Sequence, residues 1–101
     1  MANTQTAGLE ATPGLRRITR KLFWWTTEDE ALRDAVRFAA QVMTLGTWKD
    51  VQAVRKRLGD DLFVRALRVA PPGVFDEPSW RDWHLVYRIH PLPGLPKRKL
   101  P

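Results

Sequence analysis

The sequence contains no cysteine, one serine, one tyrosine and two histidines among its 101 residues. The lack of cysteine excludes disulfides, thiolate metal sites and cysteine nucleophiles, and nothing argues for secretion. Uncharged apolar stretches are far shorter than the ~20 residues that span a bilayer, and the first residues lack the charged start and apolar run of an export signal. We therefore expect a cytoplasmic protein that does not cross a membrane.

The few reactive side chains do not form a catalytic or metal-binding set. Ser79, Asp82 and His84 have the residue types of a hydrolytic triad, but on one helix Ser79 and His84 would point in different directions. His84 also lacks a partner at the i, i+4 spacing of helical metal sites, and no glycine cluster precedes a helix as in phosphate-binding loops. We predict no enzymatic activity, no metal and no cofactor.

Basic residues outnumber acidic ones by 17 to 11, which gives a formal charge of +6. Such a balance favours an acidic or polyanionic partner, although a solvated surface with solubilising tails would look the same. The basic residues form three clusters: Arg16, Arg17, Arg20 and Lys21; Lys49, Arg55, Lys56 and Arg57; and Lys97, Arg98 and Lys99. The candidates for binding DNA or RNA phosphates are Arg16, Arg17, Arg20, Lys21, Arg55, Lys56 and Arg57.

Apolar periodicity and capping signals predict an all-α fold, a small bundle of about four short helices with extended, partly disordered arms. Thr27 and Glu30 have the spacing of a capping box, and Thr47 begins a second helix that Gly59 ends. The predicted helices cover residues 28–45, 48–58, about 61–70 and about 78–89. The second and third have the length of a helix-turn-helix, but that motif would bury Arg65 and Arg68, so we interpret them as an αα-hairpin.

Composition divides the chain into three parts. Residues 1–21 are predicted to be a disordered basic tail, since the first 14 are small and polar without a period. Residues 22–90 are the helical domain. Residues 91–101 are rich in proline and basic side chains, which predicts an extended arm.

Aromatic residues are more numerous than a core of fewer than 70 residues needs, because five Trp, four Phe and one Tyr are present. We expect the core to hold Phe38, Trp48, Phe63 and Phe75. Two interpretations remain open for the other tryptophans, Trp24, Trp25, Trp80 and Trp83. They pack on one another as a cap over the bundle, or some stay exposed as a patch that a partner covers.

Five segments also carry a resemblance: Leu22-Phe23-Trp24-Trp25, Gly46-Thr47-Trp48 with Asp50-Val51, Ala70-Pro71-Pro72-Gly73-Val74-Phe75, Ser79-Trp80 with Trp83-His84-Leu85, and Leu95-Pro96 to Leu100-Pro101. On the basis of these segments, residues 23–101 resemble a family of small bacterial proteins encoded beside AbiEii-type nucleotidyltransferase toxins. The chain departs from that pattern at Trp25, where many similar sequences carry Asp, and in its long basic tail.

The resemblance implies an antitoxin that docks on and neutralises a cognate nucleotidyltransferase-type toxin. The candidate partner-binding residues are the aromatic set and the arm: Trp24, Trp25, Trp80, Trp83, Tyr87, Leu92, Leu95, Lys97, Arg98 and Lys99. The alternatives are a basic nucleic-acid-binding protein or transcriptional autoregulator, and a homodimer formed through the tryptophan face.

Overall fold

The computed structural model describes residues 12–97, and within that range the chain forms helices and turns without a strand. The helices are α1 (Pro13–Leu22), α2 (Glu28–Arg33), α3 (Ala35–Leu45), α4 (Trp48–Leu58), α5 (Asp60–Arg68) and α6 (Glu77–Val86). The all-α class is confirmed, but the described range has six helices rather than about four. None of these helices has the length and apolar character needed to cross a membrane.

Helix α1 occupies a segment that the sequence analysis placed in the disordered tail, and the prediction is wrong for residues 13–21. The Thr12 side chain accepts a hydrogen bond from the Leu15 backbone, and Pro13 supplies the first helical position. Leu15, Ile18 and Leu22 recur on one buried face. This apolar pattern is short and follows a run of small polar residues, so the sequence analysis did not identify it as a helix. The rest of the predicted tail, residues 1–11, lies outside the described residues.

The single helix predicted over 28–45 is two helices that meet at Asp34. This residue has extended backbone angles (φ −110°, ψ 96°), and its carboxylate accepts a hydrogen bond from the Arg37 backbone. An aspartate side chain that bonds nearby backbone competes with helix continuation, so Asp34 ends α2 and begins α3. The break allows α2 to turn against α1.

Helices α4 and α5 form the predicted αα-hairpin. The Thr47–Asp50 capping box begins α4, as expected, and Gly59 joins the two helices with a φ of +88°, a value that favours glycine. Helix α5 packs mainly on α3. Arg65 and Arg68 lie at the surface, so the positions that a helix-turn-helix would bury hold exposed arginines.

The core lies around α3 and α5, where Phe38 and Phe63 are fully buried, and Phe75 packs beside them. The prediction for Trp48 is wrong, because its side chain is 61% exposed. Trp48 is the first residue of α4, and the inward positions of that turn are taken by Asp50, which binds Lys21 of α1, and by Val51.

The segment after α6 was predicted to be an extended arm. Its residues 92–97 form neither helix nor strand, and the segment packs against the domain rather than leaving it. The carbonyl of Pro93 accepts a hydrogen bond from the Trp80 indole, and the carbonyl of Pro96 accepts one from the Gly73 backbone. Leu95 is partly buried against the core. Residues 98–101 of the predicted arm lie outside the described range.

Candidate protein-docking surface

Two adjacent indoles protrude from the turn between α1 and α2. Trp24 is 79% exposed and Trp25 is 54% exposed, whereas the neighbouring Phe23 is buried and stacks on Phe38 with ring centroids 5.9 Å apart. The Thr26 backbone N–H closes the turn on the Phe23 carbonyl at 3.1 Å. Because Phe23 anchors the turn, the two tryptophans face solvent. We refer to Trp24 and Trp25 as the indole pair.

The rings of the indole pair contact each other edge to face, with centroids 5.5 Å apart, and Trp25 also lies 5.5 Å from Phe23. Neither indole N–H donates to any residue in the described range. Single exposed apolar residues are normal, but two neighbouring exposed tryptophans form the kind of patch that marks interaction sites. The pair is therefore available to a partner without rearrangement of the domain.

Ion pairs fix the helices on both sides of this turn. Arg16 and Arg20 of α1 bind the two oxygens of Glu28 at 2.7 and 2.8 Å. The hydrogen bond from Arg16, which has the largest effect, and the one from Arg20 lower the pKa of Glu28 below its ordinary value. The turn is thus held in one geometry, which limits the conformational entropy that docking would cost.

A second ion pair joins α1 to the start of α4. Lys21 Nζ lies 2.6 Å from Asp50 Oδ2, and the same oxygen accepts a hydrogen bond from the Thr47 backbone at 2.9 Å. Burial by itself would raise the pKa of Asp50, but the bonds from Lys21 and Thr47 outweigh it and keep the pKa below its usual value. Asp50 therefore completes the capping box of α4 and holds α1 with one carboxylate.

Shallow grooves flank the indole pair. A groove of about 610 Å³ runs between Trp24, Arg20 and Asp29, and one of about 260 Å³ lies beside Trp25, Glu30 and Arg37. Charges of both signs border each groove. This arrangement, an aromatic centre with a polar rim, is the anatomy of a protein-binding site.

Trp80 and Trp83 do not belong to an exposed patch, since they are 4% and 8% exposed. The Trp83 indole donates to the carbonyl of Met43 at 2.8 Å, and Trp80 donates to Pro93 at the same distance. Met43 lies in the last turn of α3, where carbonyls lack helical partners, so Trp83 closes that helix end. Both residues are structural, which corrects their assignment to partner binding. The four tryptophans also do not form a single cap.

The remaining candidates of the aromatic set and the arm are divided between core and surface. Tyr87 is half-buried, stacks on Trp83 and donates its hydroxyl to Asp60 Oδ1 at 2.8 Å. Burial, which has the largest effect, and the hydrogen bond to Asp60 both raise the pKa of Tyr87 above its ordinary value. Leu92 and Lys97 are exposed and accessible to a partner, whereas Leu95 is partly buried. Arg98 and Lys99 lie outside the described residues.

The predicted nucleic-acid-binding residues separate into paired and unpaired cations. Four of them form ion pairs: Arg16 and Arg20 with Glu28, Lys21 with Asp50, and Arg55 with Asp60. Arg17, Lys56 and Arg57 are exposed and have no ion pair within residues 12–97. Lys56 and Arg57 border a groove of about 540 Å³ against α1.

The structure adds residues that the sequence analysis did not single out as functional. Phe23 orients the indole pair, and Glu28 and Asp50 hold the helices around it. Their ion pairs join helices that are distant in sequence, so the sequence does not show them. Across the described part of the chain, no three His, Asp or Glu side chains come together as a metal site.

Comparison with known protein families, curated proteins and solved structures gives no match for this chain. The assignment of a function therefore depends on the geometry above and on the sequence resemblance.

Proposed function

We propose that this protein is an antitoxin-like binding protein without enzymatic activity, and that its indole pair docks on a nucleotidyltransferase-type toxin in the cytoplasm. The observation that supports docking is the exposure of Trp24 and Trp25 on a turn held by ion pairs. The identity of the partner is inferred from the resemblance to proteins encoded beside such toxins.

Energetic considerations favour the indole pair as the centre of an interface. Tryptophan is enriched among interface residues whose truncation costs at least about 2 kcal/mol, because its large ring displaces much water on burial. The buried Phe23 and the Glu28 ion pairs fix the turn before binding, so little order has to be acquired.

The arm supplies a second contact in this proposal. Leu92 and Lys97 are exposed on a proline-rich segment whose backbone accepts hydrogen bonds from Trp80 and Gly73. Because proline restricts the backbone, a segment of this kind can bind a partner at low entropic cost. Inhibition is then steric, with Lys97, Arg98 and Lys99 directed to an acidic or phosphate-binding part of the toxin.

The test is calorimetric titration of an AbiEii-type nucleotidyltransferase with wild type and with Trp24→Ala/Trp25→Ala. We expect the double variant to bind at least about 30-fold more weakly, the equivalent of about 2 kcal/mol. Its far-UV circular dichroism stays unchanged, since neither side chain supports the core.

The matched control is Trp48→Ala, which removes an exposed tryptophan from a different turn. It should bind like wild type. Equal affinities of wild type and the double variant would reject the indole pair as the docking surface, and a lack of any complex with wild type would reject the partner.

Nucleic-acid binding is the second candidate function, favoured by Arg17, Lys56 and Arg57, which are exposed and form no ion pair with any described residue. Phosphate contacts of this kind weaken steeply with salt. Titration with duplex DNA and RNA at rising salt should show that loss, and Arg17→Ala/Lys56→Ala/Arg57→Ala should abolish it while Arg81→Ala does not. An absence of binding at low salt removes this candidate.

Light scattering of the free protein tests the third alternative, a homodimer through the tryptophan face. A monomer mass excludes it. A dimer that dissociates in Trp24→Ala/Trp25→Ala would instead assign the indole pair to self-association.

A further inference from the structure

Another groove, distant from the indole pair, contains a buried histidine that the proposed docking does not use. It lies between the end of α5, helix α6 and the segment of residues 91–97, with a volume of about 590 Å³, within the range of small-molecule sites. Its walls are mainly apolar: Leu67, Ala70, Trp80, Ile89, Pro93 and Pro96. We refer to it as the His84 groove.

The imidazole of His84 is only 3% exposed, and its Nδ1 lies 2.7 Å from the Trp80 carbonyl oxygen. A carbonyl oxygen can only accept a hydrogen bond, so Nδ1 carries the hydrogen. In the neutral imidazole, Nε2 is then an acceptor. No residue within 12–97 donates a hydrogen bond to Nε2.

The hydrogen bond at Nδ1 sets the orientation of the imidazole ring relative to the groove. The bond from Nδ1 turns one edge of the imidazole back along α6 toward Trp80, four residues earlier. Nε2 is on the opposite edge, and His84 is among the residues that border the groove. Buried polar atoms in proteins almost always have a hydrogen-bond partner, so the groove offers an acceptor for an incoming donor.

We propose that the His84 groove binds a small, uncharged, mainly apolar molecule that carries one hydroxyl group, of the phenol type. The ring packs between the prolines, Leu67 and Trp80, and the hydroxyl donates to Nε2 of His84. Arg68, at the groove edge, disfavours a cation, and the carbonyls at the end of α5 disfavour an anion. The His84 groove is separate from the indole pair and shares only the segment of residues 93–96 with the proposed toxin docking.

The experiment compares phenol with anisole, which has nearly the same shape but no hydroxyl hydrogen. Uniformly ¹⁵N-labelled protein is titrated with each probe, and the indole N–H signal of Trp80 is followed by NMR. We expect saturable shifts for phenol with a Kd on the order of millimolar, and at least ten-fold weaker binding of anisole. The indole signal of Trp24, which does not border the groove, should not move.

Two histidine variants provide the matched pair. His84→Phe removes the acceptor and should weaken phenol binding at least ten-fold, whereas His90→Phe changes an exposed histidine outside the groove and should leave it unchanged. The comparison of phenol with anisole on wild type remains decisive where His84→Phe fails to fold.

Equal affinities for phenol and anisole would overturn the proposal, because the acceptor would then play no part. An unmoved Trp80 signal at saturating probe would do so as well. Concentration-dependent shifts of that signal without probe would mean that a second copy covers the groove, which also contradicts the proposal.

Discussion

Two pairs of tryptophans occupy this small domain in opposite ways. Trp80 and Trp83 lie on the inward face of α6, and each indole N–H reaches a backbone carbonyl. Trp24 and Trp25 lie on a turn, with no described partner for either N–H and with water over most of their surface. A large ring with a polar N–H is buried at low cost only where an acceptor is placed for it.

The two regions are also stabilised by different forces. Around Trp83 the contacts are aromatic and apolar, with Phe63 edge to face at 5.6 Å and Tyr87 stacked at 5.9 Å. Around the indole pair, the helices are joined by Glu28 and Asp50 through ion pairs. The stability of the first region should therefore be sensitive to a loss of side-chain volume. The stability of the second should be sensitive to a loss of charge.

The largest effect is expected for Trp83→Ala. This change removes a buried ring and leaves the Met43 carbonyl without its donor, which together cost about 3–5 kcal/mol. At roughly 0.05–0.15 kcal/mol per residue the described domain has a stability of about 4–13 kcal/mol, so we expect the urea midpoint measured by circular dichroism to fall strongly. Trp83→Phe keeps most of the ring and should stay folded, with a lower urea midpoint. A native-like midpoint for Trp83→Ala would contradict the structural role.

A smaller loss is expected for Asp50→Ala, which removes the carboxylate that accepts from the Thr47 backbone in the capping box and, at the same time, the partner of Lys21. We estimate about 1–2 kcal/mol from urea unfolding, mainly from the lost hydrogen bond to the Thr47 backbone. Lys21→Met removes only the ion pair and serves as the control, with a loss below about 1 kcal/mol. Equal losses in both variants would place the energy in the ion pair instead.

Acid should loosen the side of the molecule that carries the indole pair. The pKa values of Glu28 and Asp50 are lowered in the folded state, so their stabilisation is complete above the unfolded values near 4.5 and 3.8 and is lost as the pH falls through the folded values. Urea midpoints measured from pH 6 to pH 2.5 should fall below about pH 4.5. Glu28→Gln should flatten that decrease, and an unchanged pH profile would rule out the contribution of Glu28.

The smallest effect on stability is expected for the indole pair. Trp24→Ala should change the free energy of unfolding by less than about 0.5 kcal/mol, because an exposed ring buries little in the folded state. Trp25→Ala should cost slightly more, since Trp25 contacts Phe23. A loss above about 2 kcal/mol for Trp24→Ala would show that the pair supports the fold rather than a partner.

Prediction from the sequence was accurate where the signal was local. The Thr47–Asp50 capping box and Gly59 delimit α4 as expected, since these residues satisfy backbone groups within one turn. The break at Asp34 was missed because an aspartate can end a helix or sit on its surface, and the choice depends on how α2 packs against α1.

The candidate site was predicted only in part. Trp24 and Trp25 were proposed as partner-binding residues and are exposed, but Trp80 and Trp83 shared that assignment and are buried. The two residues lie three positions apart on α6, and this spacing is the same whether a helix face packs on a partner or on the domain's own core.

The sequence by itself determined the helical class, the main capping residues, the absence of a helix over residues 92–97 and the excess of aromatic surface, because these follow from short-range backbone chemistry and composition. The tertiary structure decided which tryptophans are covered. That choice depends on where the Met43 and Pro93 carbonyls lie in space, and on how Lys21 and Glu28 find partners across helices. The sequence of a single helix shows neither the positions of these carbonyls nor the partners of these charged residues.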